Sequence, residues 1–335
     1  MPATIHDVAR QAGVSISTVS RVMNGTSPVK SDKRDLVLQV AEELGYEPNP
    51  AALSLLGKKT GGIGVLLPFI TDEFFSDLLG GLDAAAQEAD RFLVISTSHL
   101  KVEEFRRAAK AFRQRVDGFV VMAPELKGAQ AALMLGAGVP TVFINTQVEE
   151  TLQADVFNFD NYGGMYRLTK HLIEQGHTDV VHVRGPESAW DASERARGYR
   201  DAMREAGLDA HMRFVQGNYT RQAGYESVAE ILEMEPRPTA IVAANDYCAT
   251  GVLSALHEAG IEVPGDISVC GFDGLASSQY TVPPLTTASV PIRQIGERAI
   301  RRLVGRLEER ENVGAYALET AKVEVVDRQS AAPKS

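Results

Sequence analysis

The chain contains little cysteine and no long apolar run. Only two of its 335 residues are cysteines, Cys248 and Cys270, and neither lies in a CxxC motif or beside a group of histidines. We therefore expect two buried, reduced thiols and no disulfide or cysteine-based metal site. No stretch approaches the roughly 20 apolar residues that span a bilayer, and the N-terminus has no signal-peptide pattern. These absences favour a cytoplasmic protein without a membrane partner.

The signatures of common enzyme classes are also missing. Gly62 and Gly64 match a dinucleotide-binding loop only in part, because its third glycine is absent. The sequence has no P-loop, no G-x-S-x-G and no H-E-x-x-H. Asp160 and Asp273 could be nominated as the two carboxylates of a sugar-active enzyme, but nothing selects one of them as the general acid. We predict that the protein is not an enzyme and needs no cofactor or metal.

Charge is distributed unevenly along the chain. The formal net charge is −10, which at first argues against nucleic acid as a partner, since Lys and Arg supply most non-specific affinity for phosphates. Residues 1–34, however, carry five Lys or Arg against two Asp, a net charge of +3. An acidic body with a basic head would approach DNA only through the head, which suits a site-specific binder that uses two heads.

Residues 4–25 predict two short helices joined by a tight turn. Thr4 followed by Asp7 resembles a capping box, and apolar residues then recur at helical spacing. Gly13 permits the positive φ of a turn, and Ser15 can cap the second helix. This pattern is typical of a helix-turn-helix, whose second helix enters the DNA major groove, but also of an ordinary helical hairpin. The helices alone leave both interpretations open.

The second helix has one face suited to DNA. Ile16, Ser17 and Arg21 fall on this face, whereas Val19 and Val22 fall on the opposite side and should pack on the first helix. Arg21 can donate two hydrogen bonds to guanine O6 and N7, and Ile16 can contact a thymine methyl group. We therefore expect Arg21 to carry most of the base specificity.

The next segment predicts the end of a small domain and a linker. A third amphipathic helix at 31–44, capped by Ser31 and with Leu36 on its inner side, would close a headpiece over residues 1–46. Residues 47–60 contain helix-breaking prolines and a six-residue apolar segment, which is too short to hold a helix alone in water. This segment should fold only when it is docked.

From Gly62 onwards, apolar runs alternate with helical periods, which is the signature of parallel α/β structure. We expect two similar doubly wound lobes within residues 61–335. Strands are predicted at 63–67, 92–96, 118–122, 141–144, 180–183, 213–216, 240–243 and 267–271, and helices at 78–89, 102–113, 126–137, 163–175, 194–206, 222–234, 249–259 and 292–307.

Polar residues follow several predicted strands, where ligands bind in open α/β sheets. Carboxylates, amides and a guanidinium there suit the hydroxyls of a sugar, and aromatic side chains could stack on its apolar face. Two alternatives remain, since such Asp and Asn residues often only cap a helix, and the phenylalanines could belong to the core. The sole tryptophan, expected in a loop, should wall the cleft. The candidate effector site is Phe74 or its neighbour Phe75, Asn145, Asp160, Trp190, Arg195, Tyr219, Asn245 and Asp273.

Ordered motifs along nearly the whole chain resemble those of the LacI/GalR family of transcriptional repressors. They are DVARQAGVSISTVSRVMNG, LGYEPN, DNYGG, ERARGY, PTAIVAANDYCATG, VPGDISVCGFDG and PPLTT. The resemblance implies a helix-turn-helix headpiece, a hinge helix and a two-lobed core similar to periplasmic sugar-binding proteins. It also implies a homodimer on a pseudo-palindromic operator. We expect a first lobe at about 61–159 and 288–312, and a second at about 160–287 and 313–330.

The resemblance also assigns roles to residues. Leu55 occupies the position that inserts into the minor groove, while Leu53 stands where many members carry Arg, which removes a DNA contact. In the family, the equivalents of Arg195, Asn245 and Asp273 hold the effector. The predicted DNA-contacting residues are Thr4, Ser15, Ile16, Ser17, Thr18, Ser20, Arg21, Asn24 and Leu55.

Together these features predict a dimeric, sequence-specific repressor of transcription. A small molecule bound between the lobes should control its affinity for the operator, with a sugar as the expected effector and a nucleobase or nucleoside as the alternative. A binding protein for transport or a sugar-active enzyme is the remote competitor. The sequence does not tell whether the effector induces or co-represses.

Overall fold

The computed structural model divides into two compact units, Met1–Thr60 and Gly61–Ser335. No helix in its described part is long and apolar enough to cross a membrane. The structure describes residues 3–24, 29–46, 59–113, 115–136, 138–149, 152–308 and 315–334. The hinge predicted at 47–60, with Leu55, lies almost wholly outside these ranges.

The first unit is a three-helix headpiece, as the sequence predicts. Its helices are α1 (Ile5–Gln11), α2 (Ile16–Asn24) and α3 (Ser31–Glu43). Their inner faces meet in a small apolar core in which Val19 and Val37 are fully buried. The turn between α1 and α2 depends on Gly13, whose φ of +63° disfavours any residue with a Cβ atom.

The predicted capping box of α1 is present, but two other expectations for the headpiece are wrong. The Asp7 carboxylate accepts hydrogen bonds from the Thr4 backbone N–H at 3.0 Å and the Thr4 hydroxyl at 2.6 Å, so the hydroxyl is a donor in this cap. The expected Ser31 cap of α3 is wrong, because Lys30 occupies that position without a side-chain bond. Leu36 is also 43% exposed, since one residue of helical rotation, about 100°, turns it away from the buried Val37.

The described part of the second unit forms two six-stranded sheets. The first sheet has the order β11-β5-β4-β3-β1-β2 and the second β12-β10-β9-β8-β6-β7, with parallel pairing except between β10 and β12. The elements are β1 (Gly62–Leu67), α4 (Glu73–Glu88), β2 (Phe92–Thr97), α5 (Val102–Phe112), β3 (Gly118–Val121), α6 (Gly128–Leu135), β4 (Thr141–Ile144), β5 (Asp155–Phe159), α7 (Asn161–Glu174), β6 (Val180–Arg184), α8 (Trp190–Glu205), β7 (Arg213–Gln216), α9 (Arg221–Leu232), β8 (Ala240–Ala243), α10 (Asp246–Glu258), β9 (Ser268–Asp273), β10 (Thr286–Ser289), α11 (Ile292–Leu307), β11 (Leu318–Ala321) and β12 (Glu324–Val326).

The sheet order corrects the lobe assignment near the C-terminus. Residues 313–330 were expected in the second lobe, but β11 pairs with β5 in the first sheet. The boundary expected at 288 falls inside β10, which belongs to the second sheet. The chain therefore passes between the lobes after β5, after β10 and after β11. Periodicity missed β5, β10, β11 and β12 because they are three to five residues long and most carry polar residues.

Two of these crossovers are joined by a single arginine. Asp160 caps α7 by accepting a hydrogen bond from the Gly163 backbone N–H at 2.8 Å, and its own N–H donates to the Ala321 carbonyl. Arg167 reaches the Asp160 carboxylate at 2.8 Å and the Val323 carbonyl at 2.7 Å. This bonding holds the two connecting segments side by side.

Glycines allow paired helices to pack closely in both lobes. A Cβ atom at Gly81 of α4 would lie 2.1 Å from the Arg293 carbonyl oxygen of α11, and one at Gly296 would lie 2.6 Å from the Leu78 carbonyl oxygen. In contrast, a Cβ at Gly80 would meet only the flexible guanidinium of Arg293, at 3.0 Å. Backbone contact therefore requires glycine at position 81 but not at its neighbour.

Gly81→Ala should lower the free energy of unfolding by about 1–3 kcal/mol, because α4 and α11 must move apart. Gly80→Ala is the matched control and should be neutral or stabilising by up to about 1 kcal/mol, since Ala is the better helix former. Urea unfolding of the full chain, followed by circular dichroism, measures both. Equal effects of the two substitutions would contradict the packing argument.

Candidate functional site

A small cavity lies between the two lobes, beyond the carboxyl ends of their strands. The first lobe contributes a largely apolar wall and the second lobe a polar one. The free volume is about 30 Å³, enough for about one or two water molecules. A sugar or a nucleobase can enter only if side chains or lobes move apart. The lining residues are Phe69, Asp72, Phe74, Phe75 and Met122 from the first lobe and Asp191, Arg195, Tyr219, Asn245 and Asp273 from the second.

Arg195 is the centre of this site. Only 3% of it is exposed, and its Nη2 donates to Asp273 Oδ1 at 3.3 Å and its Nη1 to the Ala244 carbonyl at 2.6 Å. Its Nε donates to Asn161 Oδ1 at 3.0 Å, and its guanidinium lies 3.9 Å from the centre of the Phe272 ring. A buried guanidinium needs such partners, because desolvation of an unpaired charge is costly. The side chain is therefore held in one orientation.

The acidic groups around Arg195 are perturbed mainly by burial. Burial raises the pKa of Asp273 well above its ordinary value despite the opposing charge of Arg195. Burial also raises the pKa of Asp191, and it raises the pKa of Asp72 to about 6. Tyr219 has a strongly raised pKa, through burial and the nearby Asp191 carboxylate. One cation thus faces three carboxyl groups, and the charges of Asp72 and Asp191 add to the rise in the pKa of Asp273.

Asn145 connects this site to the opposite lobe but does not line the cavity. Its Oδ1 accepts from Asn161 Nδ2 at 2.7 Å, and its Nδ2 donates to Asp191 Oδ2 at 3.1 Å. Because Asn145 follows β4 in the first lobe and Asp191 lies on α8 in the second, this amide joins the lobes. Its φ of +44° is rare for a residue other than glycine. The expected direct effector contact by Asn145 is not what this geometry favours.

Two other expected cleft residues also lie off the cavity. Asp160 caps α7 and pairs with Arg167, so it serves the crossover described above. Trp190 is the first residue of α8, not part of a loop, because that helix begins four residues earlier than predicted. Its backbone N–H donates to the Pro124 carbonyl at 3.0 Å across the lobes. Trp190 thus marks the contact between the lobes while its side chain lies outside the cavity lining.

Five expected residues line the cavity, and two carboxylates were missed. Arg195, Asp273, Asn245 and Tyr219 converge as predicted from strand ends and the following loops, and the expected Phe74 lies opposite them. Asn245 also caps α10, because its side chain accepts a 2.8 Å hydrogen bond from the Cys248 N–H. It therefore both lines the cavity and caps a helix. Asp72 follows β1 just before α4, a position that the strand-end argument could have found. Asp191 could have been found as the residue one helical turn before Arg195.

The second helix of the headpiece presents the residues expected to read DNA. Ile16 is 42% exposed, Ser17 and Arg21 are exposed, and Val19 and Val22 are buried. Ser15 caps the helix by accepting a hydrogen bond from the Thr18 N–H at 3.2 Å. This cap orients the first turn of α2 with its polar side outward. The remaining predicted contacts in the described residues are Thr4, the N-cap residue of α1, the half-buried Thr18 and Ser20, and Asn24 at the end of α2.

Comparison with known proteins identifies the family. Residues 4–49 match the bacterial regulatory proteins of the lacI family, and residues 169–331 match a periplasmic binding protein-like domain. The HTH-type transcriptional repressor PurR of Vibrio campbellii is 36% identical over 92% of this chain and 93% of its own length. The chain belongs to the LacI family. It is a DNA-binding transcriptional regulator and not an enzyme, as its sequence predicts.

Solved structures of the LacI family resemble the whole chain. The lac repressor dimer bound to operator and the anti-inducer ONPF has a TM-score of 0.81 and 29% identity, covering 99% of this chain and 100% of that one. The complex of the regulator CelR with cellobiose has a TM-score of 0.72 and 28% identity, covering 98% and 99%. The fold class predicted from the sequence is confirmed.

Asp246, the buried residue after Asn245, lies close enough to Asp273 for the two carboxyl groups to interact. It accepts hydrogen bonds from Thr287 Oγ1 at 2.5 Å and from the Leu275 N–H at 2.8 Å. Burial nevertheless raises its pKa to about 7, from an ordinary value of 3.8. Between pH 3.8 and about pH 7, Asp246 is protonated in the folded chain but ionised in the unfolded chain. Asp246 therefore reduces stability increasingly as the pH rises towards 7.

Asp246→Asn should remove this pH-dependent cost. Relative to the wild type, the variant should gain about 2–3 kcal/mol of unfolding free energy between pH 5 and pH 8. Urea unfolding at intervals across this range gives the difference. Asp209→Asn, an exposed carboxylate on the same lobe, is the control and should leave the wild-type slope unchanged. Parallel profiles for the wild type and Asp246→Asn would contradict the expected proton linkage.

Proposed function

We propose that this protein is a homodimeric transcriptional repressor whose affinity for a pseudo-palindromic operator is controlled by a sugar bound between its two lobes. The observation that carries the proposal is the buried Arg195–Asp273 pair, which presents a fixed guanidinium and carboxylate at the meeting of the lobes. These groups suit two hydroxyls on neighbouring carbons. A repressor that binds the chromosome works in the cytoplasm, and a cytoplasmic location is part of the proposal.

A ring-shaped effector suits the two walls of the cleft. Phe74 and Phe75 pack edge to face at 5.1 Å between ring centres, next to Phe69 at 5.2 Å from Phe75. Such an apolar wall opposite polar groups matches the C–H face and hydroxyl edge of a sugar. The similarity to a cellobiose-bound regulator supports this class. A nucleobase or nucleoside is the second candidate, because the PurR relatives favour a nucleobase-responsive regulator.

Effector binding would act on DNA by changing the relation of the lobes. The site is bonded to both lobes through Asn145 and Asp191, and the described chain passes between the lobes at three crossovers. A ligand that separates or rotates the lobes would alter the spacing of the two hinge segments in a dimer. Operator affinity and effector affinity are then coupled by the same free energy.

The exposed apolar residues of the second unit favour a dimer. Phe92 and Ile95 lie on β2, an edge strand of the first sheet, and are 54% and 41% exposed. Tyr280 and Val282, in the segment that leads to β10, are 79% and 93% exposed. Uncovered edge strands and clustered apolar side chains are usual at protein interfaces. A second copy of the chain is the proposed cover for both patches.

Arg21→Ala should flatten operator preference, because the bidentate contact to guanine is worth about 1–3 kcal/mol of discrimination. The test uses the full chain and a duplex selected by that chain from a randomised pool. Fluorescence anisotropy then compares this duplex with duplexes in which each conserved guanine is replaced. The wild type should discriminate by about 5- to 150-fold at one guanine of each half-site and the variant by less than about 2-fold.

Arg10→Ala is the matched control for Arg21→Ala. Arg10 lies on α1 and pairs with Asp7 at 3.1 Å, so its removal changes the charge equally but leaves the reading face intact. It should weaken binding to all duplexes alike or leave it unchanged. If Arg21→Ala and Arg10→Ala keep the same guanine discrimination, Arg21 does not read the base.

Val282→Asp should weaken the proposed dimer by at least about 10-fold, since an interfacial charge without a partner must be desolvated. Analytical ultracentrifugation over a range of protein concentrations measures this dissociation. Leu133→Asp is the control, because Leu133 is 77% exposed on α6, away from both patches. A wild-type chain that sediments as a monomer at all concentrations, or equal effects of both substitutions, would contradict the proposed interface.

A further inference from the structure

We propose that the cleft accepts effectors that donate hydrogen bonds and carry no negative charge, and that Asp72 is the first-lobe residue that selects them. This inference rests on the proposed function, since it concerns the effector of that same site. It excludes sugar phosphates, uronates and nucleotides, and it admits neutral sugars, nucleosides and amino sugars.

The charge of the cavity wall carries the first step. Asp72, Asp191 and Asp273 line the cavity, and Arg195 is the one cationic side chain among the described residues that do so. Glu125 lies close enough to Asp191 for the two charges to interact. Arg195 is already bonded to Asp273, Ala244 and Asn161, so its charge is largely compensated within the second lobe. An added phosphate or carboxylate would lie beside these acidic side chains and raise their pKa values further, and no other cation among the described lining residues would offset its charge.

Unpartnered polar atoms carry the second step. Asp72 Oδ1 is buried and accepts no hydrogen bond, and the Tyr219 hydroxyl faces the Asp191 carboxylate without completing a hydrogen bond of normal geometry. Tyr219 is only 9% exposed, and it lines the cavity together with Asp72. Buried acceptors without donors are costly, so a ligand that brings donors gains affinity from satisfying them. Hydroxyl, amine and ring N–H groups meet this requirement, whereas a dianionic phosphate does not.

The position of Asp72 carries the third step. It is the N-cap residue of α4, and the backbone N–H groups of Phe74 and Phe75 lie close enough to lower its pKa, but the carboxylate forms no cap hydrogen bond of normal geometry and its Oδ1 has no partner. It lies on the first lobe, opposite Arg195 and Asp273 on the second, and its charge raises the pKa of Asp273. A ligand that donates to Asp72 while it binds Arg195 and Asp273 would connect the lobes directly. Asp72 therefore couples the selection of the ligand to the relation of the lobes.

The experiment compares neutral ligands with their charged counterparts on the full chain. The panel contains glucose, ribose, cellobiose, adenosine and hypoxanthine, with glucose 6-phosphate, ribose 5-phosphate, AMP, glucuronate and glucosamine. Isothermal titration calorimetry gives the affinities. The fluorescence of Trp190 provides a second readout, because this residue lies at the contact between the lobes, where its backbone N–H donates to the Pro124 carbonyl. Every compound that binds should be neutral or cationic. A phosphate ester should bind at least about 100-fold more weakly than its neutral parent.

Asp72→Asn tests the assigned residue. Asn preserves the size and the N-cap preference of the position but removes the charge. The variant should bind the neutral ligand about 10-fold more weakly and reduce the discrimination against the phosphate ester by about 10-fold. Asp83→Asn, an exposed carboxylate on the same helix, is the matched control and should change neither value.

Each outcome decides a different question. A phosphate ester or uronate that binds as tightly as its neutral parent overturns the charge selection but leaves the proposed effector control intact. Unchanged discrimination in Asp72→Asn overturns the role of Asp72. If no compound in the panel binds the wild-type chain, the proposed sugar or nucleobase effector is itself contradicted. Wild-type melting behaviour of both variants confirms that the comparison is made on folded protein.

Discussion

The burial of one arginine constrains the arrangement of the whole effector-binding unit. Arg195 can remain ionised with 3% exposure only if Asp273, the Ala244 carbonyl and Asn161 are all in place. These partners come from the ends of two strands and the start of a helix, so the ends of β8 and β9 must meet α7 and α8 at one point. The Phe272 ring then fixes the plane of the guanidinium. The position of the cleft follows from this requirement.

The same bonds extend to the junction of the lobes. Asn161, which accepts from Arg195, donates to Asn145, and Asn145 donates to Asp191 next to the cavity. A ligand that displaces Arg195 or Asp191 therefore disturbs the hydrogen bonds that Asn145 forms across the lobes directly, without intermediate residues beyond Asn161. The crossovers limit the response, because Arg167 binds two of them together through Asp160 and Val323. Such a link favours rotation of the lobes as bodies over independent loop movement.

Long, strongly patterned elements were predictable, and short polar ones were not. The headpiece follows from helical spacing and from Gly13, and β1 and β8 follow from continuous apolar runs that are buried on both faces. In contrast, β10 reads Thr-Thr-Ala-Ser and is a strand only because neighbouring strands pair with it. For the site, strand ends indicated Asn245 and Asp273, which line the cavity, and the family resemblance indicated Arg195. The sequence could not show that Asp160 takes part in a crossover between the lobes, since Val323, the other partner of Arg167, is distant in sequence.

Arginine serves two opposite purposes in this chain, and its environment separates them. Arg21 stands exposed on a headpiece whose first 34 residues carry a net charge of +3, which leaves its donors free of a buried partner and accessible to a base edge. Arg195 is desolvated and bonded in advance, so a ligand meets a rigid pattern of charge. The acidic excess of the rest of the chain is consistent with both, because it repels DNA from the body and surrounds the cleft with acceptors. Selectivity for DNA and for a small molecule thus depends on whether each guanidinium is already paired with groups of the protein. Arg195 is paired in this way before a ligand binds, whereas Arg21 is exposed.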